Sequence, residues 1–125
     1  MTVNAYVLKL THNESNVKIT STAAGDNYTI TLGTDLVIPL IETPGTPEVA
    51  IDKMMWTVSP VAASYVKIER GATLICNLHA TGEMDLNSRG ITDDAGYTSD
   101  IKVTFVGGSG GVIYLKLKKR AGYGD

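Results

Sequence analysis

The sequence predicts an all-β fold, a single-domain antiparallel β-sandwich or barrel of about eight short strands with little or no helix. Three observations carry this. Apolar residues alternate with polar ones at period two along most of the chain, as a strand with one buried face requires. Gly, Pro, Asn and Asp clusters interrupt those runs at short intervals. No segment of ten or more residues combines apolar spacing at three and four with helix caps. At 125 residues the chain is one domain, 1–125, long enough to bury roughly two thirds of its unfolded surface.

In order, Ala5 to Thr11 places Tyr6, Leu8 and Leu10 on one face before the turn residues His12 to Ser15. Asn16 to Thr22 alternates Val17 and Ile19 with polar residues, and Tyr28, Ile30 and Leu32 share a face in a third strand. Leu36 to Ile41 is a further short apolar run, but Pro39 cannot donate to a ladder and confines it to an edge. Glu42 to Pro47, with two prolines and a glycine, reads as an exposed loop. Val49 to Val58 is a strand whose buried side the pattern leaves open, with Trp56 expected as a core anchor. Ser64 to Arg70 and Ala72 to His79 form a hairpin about Gly71, with Val66, Ile68, Leu74, Cys76 and Leu78 expected inward. The connection from Ala80 to Thr98 has room for a short strand near Met84 to Leu86.

The strongest signal is the stretch Ser99 to Lys119. Ile101, Val103 and Phe105 alternate with polar neighbours, and after a glycine-rich turn Ile113, Leu115 and Leu117 do the same. The turn, Gly107 to Gly111, suits positive φ, so the stretch reads as a long β-hairpin closing the domain.

Composition narrows the function classes. A net charge of −2 gives no basic field for nucleic acid. The single Cys76 excludes an intrachain disulfide and argues against a thiolate zinc site, and its setting is that of a small buried hydrophobe. The N-terminus lacks the features of a signal peptide and no apolar run reaches the length of a membrane span, so synthesis in the cytoplasm and no membrane contact are expected.

Catalytic and cofactor signals are weak, and no catalytic, metal or cofactor residues are assigned. His12 and His79 stand at strand ends, outside any metal motif. The segment Asp85 to Gly96 imitates a calcium loop at its first, third and sixth positions, but Arg89 holds the fifth and Gly96 the twelfth. Asp93 and Asp94 would be the carboxylate pair of an enzyme, and Trp56, Tyr65 and Tyr97 the aromatics of a sugar site. The basic tail stands out: four of the 11 basic side chains, Lys116, Lys118, Lys119 and Arg120, lie within five residues. Together with Tyr114 and Tyr123 they are the candidate interface with an acidic partner. The competing reading is lysines placed on an edge strand to prevent edge pairing.

The C-terminal half, Thr98-Ser99-Asp100-Ile101-x-Val103-Thr104, then the glycine turn, Val112-Ile113-Tyr114-Leu115-x-Leu117-x-Lys119 and the closing Ala121-Gly122-Tyr123, resembles a group of small tailed-bacteriophage virion proteins. Trp56, Val66 to Arg70 and Leu74 to Leu78 fit the same layout, whereas the first 45 residues fit loosely. The resemblance implies a jelly-roll-like sandwich and a non-enzymatic capsid decoration (cement) protein in the virion. Its implied partners are the major capsid protein or other virion proteins, and copies of itself in a homo-oligomer such as a trimer. A tail, neck or baseplate component, or a carbohydrate-binding module, are the alternatives.

Overall fold

In a computed structural model of the chain, the described residues are 3–22, 25–58, 64–71, 73–86, 97–107 and 110–124. Among the described residues nine strands are formed: β1 (Val3–Leu10), β2 (Glu14–Ser21), β3 (Asn27–Ile30), β4 (Glu48–Val58), β5 (Tyr65–Arg70), β6 (Thr73–His79), β7 (Thr81–Asp85), β8 (Ile101–Val106) and β9 (Gly111–Ala121). A four-residue helix α1 (Leu32–Asp35) follows β3.

All pairings are antiparallel. One sheet has the order β1-β2-β9-β4-β7 and the other β3-β8-β5-β6. With β1 set aside as an added edge strand, these are the two four-stranded sheets of a jelly roll, successive strands alternating between sheets except at the β5–β6 hairpin. Between them lies one continuous core, including Val17, Ile19, Met54, Ile68, Val103, Phe105, Ile113 and Leu115.

The expected C-terminal hairpin does not form. β8 pairs with β3 and β5, and β9 with β2 and β4, so the glycine-rich connection crosses from one sheet to the other. Alternation dictates which face of each strand is buried and says nothing about partners. Both strands turn their apolar faces inward and meet across the core. Gly110 serves this crossing doubly: it holds φ +87, and a Cβ there would lie 2.2 Å from the Ser21 carbonyl oxygen. β9 is consequently a central strand, which removes the edge-protection reading of its lysines.

Three local differences share one cause, the β-bulge, which adds a residue and shifts the phase of alternation. On β4 the register slips between Ile51 and Lys53, so the buried set is Val49 and Ile51 before the bulge and Met54 and Val58 after it. On β6 it slips opposite Ile68/Glu69, leaving Leu74 53% exposed and Cys76 half-buried, while Leu78 stays in the core. On β1 it slips between Val7 and Lys9, so Tyr6 and Leu8 face solvent while Leu10, expected on the same face, pairs with the buried Ser15 on the inner side. Trp56 is half-buried against the core, donating its indole N–H to the His79 carbonyl at 3.0 Å.

Leu36 to Ile41 is not a strand. The third strand stops at Ile30 because Asp35 takes the Thr31 amide at 2.9 Å and Asp100 the Leu32 amide at 3.0 Å, satisfying amides at the start of the α1 turn. Leu36 is buried, and the chain then turns at Ile38 to Glu42, where the backbone N–H groups of Ile41 and Glu42 donate to the Ile38 carbonyl.

Candidate interaction surface

β9 decides which members of the basic tail reach solvent. Its inward positions are Ile113, Leu115, Leu117 and Lys119, and its outward ones Tyr114, Lys116, Lys118 and Arg120. Lys119 and Tyr123 are therefore corrections to the expected interface: both are buried, at 5% and 2% exposure. The other four candidates do share the outer side of the five-stranded sheet.

Lys119 can be buried because its ammonium is fully satisfied. Its Nζ donates to Glu42 Oε1 at 2.6 Å and to the Thr11 carbonyl at 2.9 Å, and lies 4.3 Å from the centre of the Tyr123 ring. Glu42 also accepts the Ile38 amide at 2.9 Å and faces His12 Nδ1 at 2.7 Å. Burial opposes ionisation of Glu42, but the hydrogen bonds from Lys119, the Ile38 amide and His12 outweigh it and hold the carboxyl below its usual range. Tyr123 donates its hydroxyl to the Leu32 carbonyl at 2.7 Å, and burial, aided by Glu42 and Asp100, raises its ionisation well above the ordinary range. The cluster thus ties the β1–β2 turn, the 36–47 segment and the C-terminal tail together. Gly122 lets the tail approach so closely that a Cβ would fall 1.9 Å from the Thr46 carbonyl oxygen, at φ +82.

Arg70, expected only as a hairpin residue, lies on the inward face and is 1% exposed. Its guanidinium donates to the carbonyls of Val49, Tyr97 and Ser99, at 2.6, 3.2 and 2.8 Å, pinning the segment that leads into β8.

On the outer side of the five-stranded sheet, cross-strand register sets residues in rows: Tyr6, Lys18, Tyr114, Met55 and Glu83 form one. Lys18 Nζ lies 5.7 Å from the Tyr114 ring centre. Between Leu8, Asn16, Lys53, Met55, Tyr114 and Lys116 opens a largely apolar cavity of about 280 Å³. Tyr6, Leu8, Met55 and Tyr114 are 38–57% exposed, an uncommon density of large apolar side chains on one solvent face. The other end of this face is basic. Lys116 sits 3.8 Å from Asp52 and 4.0 Å from Glu14, the latter also paired with Lys9, which holds its carboxyl below the usual value. Lys118 and Arg120 project beyond it, Arg120 stacked 4.2 Å over Tyr97.

The remaining candidates do not converge. Tyr65 packs on His79, ring centres 5.1 Å apart, near Trp56, while Tyr97 lies under Arg120, so the three expected sugar-binding aromatics make no joint platform. Cys76 has its thiol pushed up to about 11 by burial, consistent with a packing role. Asp93, Asp94 and most of the calcium-like stretch, 87–96, lie outside the described residues. Among the described residues no group of three or more His, Cys, Asp or Glu side chains is placed to hold a metal ion.

No family model matches the chain, and no curated protein does. Among solved structures, the chain is similar to a "putative mannose-6-phosphate isomerase" from Ralstonia eutropha JMP134, with a TM-score of 0.41 and 9% identity over 96% of this chain and 86% of the other. That likeness is too distant to bear on activity.

Proposed function

We propose that the protein is a non-enzymatic structural component of a phage particle, a decoration protein that attaches to the assembled head through the basic half of its outer sheet face. The reading rests on the sequence resemblance together with one structural observation: Lys116, Lys118 and Arg120 project in a row from a central strand whose alternate residues are locked in the core. The backbone that carries the row is rigid, so little backbone freedom is lost when it meets an acidic lattice. Repetition over a lattice converts a modest contact into firm attachment. Charge also makes the contact salt-sensitive.

The test is co-sedimentation with empty heads of its phage at low and high salt. Saturable binding that weakens at high salt, and that falls for Lys118→Glu combined with Arg120→Glu, supports the reading. Protein that stays in the supernatant at both salt concentrations overturns it and turns attention to a tail, neck or baseplate position.

A further inference from the structure

The turn at Ile38 to Glu42 presents an apolar knob. Leu40 is fully exposed, at 105% of its reference surface, and Ile41 is 73% exposed. Leu40 also holds φ +66, a left-handed conformation that a γ-branched residue adopts at a cost and that glycine or asparagine would fill more readily. The turn is not loose: Glu42, at its base, is held by Lys119 and the Ile38 amide, so the knob is pushed outward from an anchored platform. A leucine in this conformation, projecting wholly into water, is not explained by the fold of a single copy.

The same chain carries a recess of matching chemistry. The cavity of about 280 Å³ on the outer sheet face is walled by Leu8, Met55, Tyr114 and the stems of Lys53 and Lys116, and a leucine or isoleucine side chain fits within it. None of its lining residues comes from the knob segment, so knob and recess are separate surfaces.

We propose that Leu40 and Ile41 of one copy seat in the Leu8–Met55–Tyr114 cavity of the next, giving a head-to-tail self-assembly. Each copy offers both halves of the contact, which is the condition for a heterologous interface that closes into a ring or continues as a filament. A pre-formed knob, held by the Glu42 platform, enters with little further ordering, as an anchor residue at the centre of an interface does. The contact covers the stem of Lys116, one member of the basic row, and leaves Lys118 and Arg120 for a lattice; its test does not depend on head binding.

The test needs no heads. Light scattering coupled to size exclusion over a concentration series is expected to show a concentration-dependent oligomer for the unaltered chain. Leu40→Asp and Met55→Asp are each expected to weaken association at least about tenfold. Leu40→Gly removes the side chain while easing the backbone, so it is expected to lose assembly without lowering the melting temperature. Mixing Leu40→Asp with Met55→Asp supplies one intact recess and one intact knob, and is expected to restore a single contact, giving a dimer that grows no further. A chain that stays monomeric at high concentration, or an oligomer untouched by Leu40→Gly, overturns the proposal. So does an equimolar mixture of the two Asp variants that shows no dimer.

Discussion

Lys116 and Lys119 stand three residues apart on β9, carry the same charge, and live in opposite worlds. The Lys119 side chain is 0% exposed and 2.6 Å from a carboxylate whose side chain is 1% exposed, whereas the Lys116 side chain is 47% exposed and no nearer than 3.8 Å to either of its acidic neighbours. The first is an element of the fold, because a buried charge without its partner is costly; the second is a solvated charge whose pairs are screened. A basic tail read as one patch is two objects, an internal clamp and an external row, divided by strand alternation.

The comparison can be broken from its strong side. Lys119→Ala strands the Glu42 carboxylate and is expected to cost about 3–5 kcal/mol, read by urea denaturation. Neutralising both members at once, Lys119→Met with Glu42→Gln, which can still accept the Ile38 amide, is expected to recover much of that loss, because the penalty belongs to the unpaired charge. A double variant as unstable as the single one would show that the cluster holds the fold by geometry instead.

Gly122→Ala attacks the same clamp through the backbone. A Cβ 1.9 Å from the Thr46 carbonyl forces the tail away from the 43–47 segment, and a loss of about 1–3 kcal/mol is expected in the same denaturation measurement.

Acid sharpens the contrast. The folded-state value of Glu42 lies below its ordinary 4.5, so its contribution is fully present above that pH and is lost as pH falls through the folded value. Between about pH 7 and about pH 3 the unaltered protein is expected to lose more stability than Glu42→Gln does, since the variant has no proton to gain there. Equal losses would place the acid sensitivity elsewhere. Smallest of all is Lys116→Ala, expected to move the melting temperature by no more than about 2 °C, as an exposed pair should.

Much of this was legible in the chain. Alternation located the strands, and the absence of helical periodicity set the class. It could also have placed Lys119: the residue shares the parity of Ile113, Leu115 and Leu117, and only its charge argued for the surface. Tyr123 carried no such signal, because Gly122 interrupts the strand before it. Bulges were invisible for a different reason. The extra residue at Asp52 or Leu8 is set by what the neighbouring strand presents, and neighbours are fixed by pairing across long stretches of sequence. The same ignorance of partners turned the crossing between β8 and β9 into an expected hairpin. Leu36 to Ile41 looked like a strand from its apolar content, yet what decides its shape is Glu42 capturing the Ile38 amide and Asp100, distant in sequence, capturing the Leu32 amide. The knob at Leu40 was hidden in that misreading, since a strand would have given it a partner.

The placement of β9 has a consequence for how the molecule is made. It is the last of the nine described strands in sequence, yet it lies between β2 and β4, each of which needs it to complete a ladder. During synthesis the β1–β2 pair can zip as it emerges, but its inner edge and that of β4 must wait, unsatisfied and sticky, until β9 leaves the ribosome and inserts between them. Closing the long loop between β2 and β9 makes folding slow. A truncation within β9 would split the five-stranded sheet down its middle.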